Sequence, residues 1–364
     1  MKVKNLIIGA VGRERLFQIK DKLYFRSLKR RPPELMWEPL PVGPENRQDA
    51  GGIQTGHELF IFGGFRDNAD DVSIMVDIFD FDKGRWTTRV PLPEGMAQTH
   101  LGMAGDGERF IYAVSGQKGC QCHPPVPDCF VFDTKNRSWQ KFLPLPEARY
   151  APAVQLWRGR LHVISGSKYD RHTPATDHWS IAVKDGKALE DQWRTEVPIP
   201  KGGPHRASAI LDDKFYTFGG QEGDYVAVPG DPNFMCTGKL VQETVFSDVY
   251  ILEYGAKAWK RLNDMPELVS HTDFSIVKMG SSVIILGGHI NETRTRKITL
   301  SDAVQKYDAQ KDEWKVIGRL PYGVKSTLAA YYQGYLYMSC GQRDKGPGDH
   351  RPGLYDNRIW RARL

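Results

Sequence analysis

Residues Ser115–Cys129 read SGQKGCQCHPPVPDC and put Cys120, Cys122, His123 and Cys129 within ten positions. Thiols and an imidazole at this density could bind a metal, carry redox chemistry or staple a loop. A tetrahedral zinc site takes four ligands, usually as two spaced pairs. Here a Cys-x-Cys-His run is followed by a lone Cys, and the other two cysteines, Cys236 and Cys340, stand apart. No metal and no cofactor is expected. Cys120, Cys122, Cys129 and Cys236 form an even set that reads as one or two disulfides in an oxidising compartment. Cys122 with Cys236 is the preferred pair, although spacing does not determine connectivity. Cys340 ends an apolar run and is expected to be a buried packing thiol.

These residues need a scaffold, and composition narrows its class. The 364 residues include 36 Gly and 23 Pro, a turn-rich balance that favours many short strands. No apolar run reaches the roughly 20 residues of a membrane helix. The net charge of +6 is concentrated in residues 1–35, which are rich in Lys and Arg. The rest is electrically balanced, so a basic nucleic-acid face is not expected. Residues 1–35 read as a flexible basic arm and 36–364 as the folded domain.

That domain repeats. An apolar run ends in a pair of small residues at Gly63-Gly64, Ser115-Gly116, Ser165-Gly166, Gly219-Gly220, Gly287-Gly288 and Cys340-Gly341. A Trp follows each of the first five pairs, at Trp86, Trp139, Trp193, Trp259 and Trp314. The sixth unit stops one strand short, and MWEPLP, with Trp37, supplies the missing pattern at the other end. The expectation is an all-β, six-bladed propeller whose last blade is completed by the N-terminal strand around Trp37, which leaves no open sheet edge.

The period of about 50 residues, the glycine pair and the trailing Trp resemble the kelch repeat. Stretches such as RYAPAVQLWRGRLHVISGSKYDRHTPATDHW and IPKGGPHRASAILDDKFYTFGGQEGDY are similar to a family of land-plant kelch-repeat proteins, often labelled galactose oxidase/kelch superfamily. The resemblance covers the chain from Trp37 onward. It implies no established reaction. It implies a secretory or Golgi location, with a cytoplasmic one as the alternative. Membrane attachment is expected only through an N-terminal anchor missing or degraded here.

In such a fold the second-to-third and fourth-to-first connections share one face. The second-to-third connections are long, the longest being Gln221–Ser247, and long loops carry function. The fourth-to-first turns offer one cation per repeat: Arg47, His100, Arg149, His205 with Arg206, His271 and Lys325. The same face adds Gln117, Gln221, Gln342, Arg66, Arg171, His172 and Arg343. A ring of cations around a channel mouth would suit an anionic or polyhydroxylated ligand. Alternatively, each cation bonds carbonyls and acids of its own blade.

Two functions follow. The first is a non-catalytic module that binds a carbohydrate or protein partner through this face. The second is a sugar- or metabolite-modifying enzyme at the channel mouth. The superfamily's copper-radical oxidation needs two His, two Tyr and a Cys. Tyr225, His271, Tyr331, His205 and Cys122 are of the right types, but no local motif joins them. No Glu-x-x-x-Asp-x-x-x-His iron pattern occurs. An isomerase would pair His205 or His271 with Glu222 or Asp224, two acids that also read as turn residues. The 36 N-terminal residues are too few for a BTB or F-box adaptor module. The binding module is the expectation.

Overall fold

The structure is a computed structural model that describes residues 35–68, 70–121, 123–224, 244–292, 298–346 and 349–364. All but one residue of the basic arm, residues 1–35, lie outside this set. No helix among the described residues is long and apolar enough to cross a membrane.

The chain is all-β and folds into successive antiparallel sheets. The first is Gly51–Thr55, Glu58–Phe62, Met75–Asp80 and Arg85–Pro91. The second is Gly102–Gly105, Phe110–Val114, Cys129–Asp133 and Ser138–Phe142. The third has Ala153–Trp157, Arg160–Ile164 and His178–Lys184, with Lys187–Ala188 and Arg194–Thr195 both pairing with the last of these. The fourth is Ala207–Leu211, Lys214–Phe218, Val249–Leu252 and Lys260–Arg261. The fifth is Ile276–Met279, Ser282–Leu286, Ala303–Asp308 and Glu313–Arg319. The sixth joins Leu328–Tyr332, Tyr335–Ser339 and Ile359–Arg363 to the N-terminal strand Trp37–Pro39. That last pairing is antiparallel, with Trp37 opposite Ala362.

The six small-residue pairs show why the repeat has its form. The first position of each pair is left-handed, with φ between 54° and 63°, and the second lies at 83° to 114°. Left-handed φ near 55° is uncommon but accessible to a residue with a Cβ, and φ near 100° is left to glycine. Ser115, Ser165 and Cys340 therefore appear only at first positions. A Cβ at Gly116 would also meet the backbone oxygens of Thr99 and His100 at 2.8 and 2.9 Å.

The tryptophans tie each sheet to the one before it. The indole N–H of Trp86 donates to Pro41 O (2.9 Å), Trp139 to Pro91 O (3.1 Å) and Trp193 to Pro144 O (2.8 Å). Trp259 donates to Val197 O (3.0 Å), Trp314 to Asn263 O (3.3 Å) and Trp37 to Arg319 O (2.7 Å). Between the sheets lie apolar cores. One of them joins Phe60, Phe62 and Ile78 of the first sheet to Ile111, Phe130 and Phe132 of the second.

Two connections read from sequence as loops contain strands. His289–Glu292 pairs with Ile298–Leu300, and Gln342–Gly346 pairs with Asp349–Tyr355 and with Val324–Lys325. Their Gly, Pro and charged residues hide the alternation that marks a strand.

Candidate functional site

Each sheet is approached through a turn with one left-handed residue: Asp49, His100, Ala151, His205, His271 and Ser326, with φ between 46° and 62°. Such backbone persists only where its surroundings hold it. Here hydrogen bonds run from turn to turn. The His100 N–H donates to Asp49 O (3.1 Å), Ala151 to His100 O (3.1 Å), His205 to Ala151 O (3.3 Å) and Ser326 to His271 O (2.9 Å). The side chains of these residues, and of their neighbours, meet in one buried cluster.

Within it the His205 and His271 rings stack at 3.8 Å, and His100 stacks on Tyr150 at 4.3 Å. His100 and His205 are 5.4 Å apart. His289 adds a fourth imidazole, 5.5 Å from His271. The Tyr150 hydroxyl donates to Asp224 Oδ2 at 2.6 Å and accepts from Arg171 at 2.9 Å. The Arg171 guanidinium lies over the Tyr150 ring. His205 Nδ1 is 3.1 Å from Asp273 Oδ2, and its Nε2 is 3.7 Å from Asp224 Oδ2. His100 Nε2 is 3.3 Å from Asp49 Oδ2, which shares its carboxylate with the Ser326 hydroxyl.

Electrostatics separate the histidines. Burial pulls His100, His271 and His289 below the usual imidazole range, the last to about 3. Burial pulls His205 the same way, but the carboxylates of Asp273 and Asp224 overcome it and raise this imidazole to about 10. Burial pushes Asp224 up, yet His205 and Arg171 hold it well below the usual carboxylate range. The surroundings thus favour the charged form at His205 and the neutral form at the other three imidazoles, a separation set by which ring faces the acids.

Of the residues expected at this face, the structure brings His100, His205, His271, Lys325 and Arg171 together. His172 Nδ1 adjoins them, 3.1 Å from the Asp224 carbonyl oxygen. Arg47, Arg149 and Arg206 are buried in their own sheets. Arg47 pairs with Asp77 (2.5 Å), Arg149 with Asp177 (2.6 Å) and Arg206 with Asp248 (2.7 Å). Gln117, Gln221 and Gln342 brace their own loops, donating to Cys120 O, Gly223 O and Gly353 O. Arg343 lies over the Tyr322 ring, and Arg66 pairs with Asp71. Cys120, Cys129 and Cys340 are free thiols. Cys129 opens a strand rather than ending a loop, and burial raises its thiol to about 12. The candidate pair Cys122 and Cys236, and Tyr225, lie outside the described residues.

Sequence reasoning passed over Asp49, Tyr150, Asp273, His289 and Ser326. The usable signal was the column of the repeat: Asp49, His100, Ala151, His205, His271 and Ser326 are equivalent positions. Collecting cations near that column mixed it with Arg47 and Arg149, two residues earlier.

A void of about 10 Å³ lies against Asp49, His100, His205 and Asp273. Asp273 and Phe274 also line a cavity of about 580 Å³ bounded by the first strands, including Ile53, Gln155 and Tyr331. That cavity reaches the first-to-second turns at Gly56 and Gly107, on the side away from the long loops. Its amides are engaged: Gln54 donates to Tyr331 O and Gln155 to Ser208 O.

The repeat and the sheets have counterparts in known proteins. A kelch repeat-containing protein of Arabidopsis thaliana is 44% identical over 333 residues, 91% of this chain and 77% of its own length. The chain belongs to the kelch-repeat family. Its β-propeller architecture agrees with the solved structure of YjhT, which aligns at a TM-score of 0.63 over 88% of this chain and 98% of that one, at 15% identity. More distant kelch relatives include a kelch-like protein of Aspergillus terreus, 22% identical over 84% of this chain, and beta-scruin of Limulus polyphemus, 24% identical over 54%. This kelch chain spans 64% and 19% of those two. No protein-family profile matches it.

Proposed function

We propose that this kelch-repeat protein is a non-catalytic binding module. Its six sheets are blades closed into a ring, and its long-loop face grips a protein partner. Closure is supported by the Trp37 and Trp86 indoles, whose hydrogen bonds continue the sheet-to-sheet series across the join of the two chain ends.

The observation that carries the binding face is its exposed apolar side chains. Val42, Ile74, Tyr169, Leu268 and Leu354 are 48% to 63% exposed, on the fourth-to-first and second-to-third connections, Leu354 within the strand Asp349–Tyr355. Apolar anchors amid polar loops are how protein interfaces are built. A carbohydrate or an anion would need open donors, and Arg47, Arg149 and Arg206 are taken up by carboxylates. A substrate at the histidine cluster would find room for little more than a water molecule.

The test is affinity isolation from native tissue with two variants. A triple Tyr169→Glu, Leu268→Glu, Leu354→Glu variant is expected to lose the partner. A Leu189→Glu, Tyr254→Glu variant, altered outside that face, is expected to keep it. Equal retention, or equal loss, by both variants would reject the reading. The same proposal locates the protein in the secretory pathway or Golgi, with Cys122 and Cys236 bridged. Five titratable thiols in the denatured, unreduced native protein would exclude that.

A further inference from the structure

The histidine cluster holds an arrangement that partner binding does not use. His100, His205 and Asp224 each offer a ligand atom within 4.8 Å of the other two, and all three are buried. The far nitrogen of each imidazole is already engaged. His205 Nδ1 faces Asp273 at 3.1 Å, and His100 Nδ1 faces the Thr99 hydroxyl at 2.9 Å. A polar group behind a histidine is the usual outer shell of a metal ligand, because it sets the ring's orientation. It leaves Nε2 of His205 to coordinate, whereas His100 Nε2 also faces Asp49 Oδ2 at 3.3 Å and would exchange that contact for the ion. His205 Nε2 has no hydrogen-bond partner although the residue is 2% exposed. It lies 3.7 Å from Asp224 Oδ2, beyond hydrogen-bond length and of the order of the separation between two donors on one ion. Tyr150 donates to the same carboxylate and steadies it.

The surroundings suit a cation. Asp49, Asp224 and Asp273 face the cluster, against Arg171 and Lys325. Three carboxylates against two basic side chains call for one more cation here, which a proton on His205 supplies unless a metal ion takes its place. The 10 Å³ void against His100 and His205 has the size of one water or ion, and only Asp273 and Phe274 are common to it and the larger cavity.

We propose that His100, His205 and Asp224 form a binding site for a divalent transition-metal cation of the zinc type. Two imidazoles and one carboxylate give three protein ligands, which leaves a fourth position toward the void. His100 precedes the second sheet, whereas His205 and Asp224 flank strands of the fourth, so the ion would tie the second and fourth sheets to each other past the turn of the third.

The full chain, dialysed against EDTA, is titrated with Zn²⁺ by calorimetry and with Co²⁺ by visible absorbance. Expected are one saturable equivalent for each metal and a low-coordinate Co²⁺ spectrum. His205→Gln and Asp224→Asn should each weaken binding at least about tenfold. Cys120→Ser should leave it unchanged. Should His205→Gln fail to fold, by circular dichroism, His100→Gln takes its place in the same titration. The absence of a saturable site, binding indifferent to the cluster variants, or binding lost in Cys120→Ser would each overturn the assignment. The assignment does not depend on the protein partner, since binding of the ion is read on the isolated chain.

Discussion

Trp37→Ala tests whether the chain ends close the ring. The Trp37 indole donates to Arg319 O at 2.7 Å and packs, half-buried, in the cluster that contains Leu320, Val324, Ile317, Tyr322 and Trp360. Burying a Trp side chain removes roughly 150–250 Å² from water. About half of that, at about 25 cal/mol per Å², is worth about 2.5 kcal/mol. The indole hydrogen bond adds about 1 kcal/mol. The substitution should therefore cost about 3.5 kcal/mol. With a urea slope of about 3 kcal/mol/M for a chain of this size, the midpoint falls by about 1 M. The assay is urea unfolding followed by far-UV circular dichroism, with Trp139→Ala as the reference inside the ring, since its indole makes the equivalent bond to Pro91 O. If Trp139→Ala costs about 3 kcal/mol and Trp37→Ala less than about 1 kcal/mol, the N-terminal strand does not hold the sixth sheet and the closed-ring reasoning is wrong.

Further outcomes follow from the same geometry. Glu267 is buried, accepts a bond from the Ser301 hydroxyl, and burial raises its carboxyl to about 7. A raised folded-state value means that this contribution is fully present below the unfolded value, near 4.5, and is lost as pH rises through about 7. Stability should fall by about 3 kcal/mol over that window, and Glu267→Gln should flatten the profile in thermal melts. Arg47→Met leaves the buried Asp77 with Arg89 alone and should cost about 3 kcal/mol in urea unfolding; unchanged stability with lost ligand binding would instead favour a cation ring that grips a ligand. Gly116→Ala places a Cβ against the Thr99 and His100 carbonyl oxygens at φ 101° and should cost more than about 2 kcal/mol. Ser115→Ala beside it loses the hydroxyl bonds to Val126 O and Arg149 O and should cost about 1–2 kcal/mol by the same measurement.

The contrast between Gly116 and Ser115 also explains what the sequence could reveal. A backbone constraint repeated six times leaves a periodic residue pattern, because every copy must meet the same φ and the same neighbouring carbonyl. The glycine pairs, the tryptophans and the N-terminal strand opposite Ile359–Arg363 were therefore readable in advance. The cluster was readable only in part, because its chemistry differs from turn to turn. The six equivalent positions carry an acid, three histidines, an alanine and a serine, so no residue type is common to all six. Side-chain direction also changes within two residues of the left-handed position. Arg47 and Arg149 turn into their own sheets to meet Asp77 and Asp177, whereas Asp49 and His100 meet each other in the buried cluster. Charge near a turn thus did not indicate where the charge points; the left-handed φ of the turn did. His289, Asp224 and Arg171 come to the cluster from second-to-third connections, whose lengths vary between repeats and break the register. What the repeat leaves unspecified is the side chain each turn sends to the cluster, and it is there that the chemistry of this kelch chain departs from its own period.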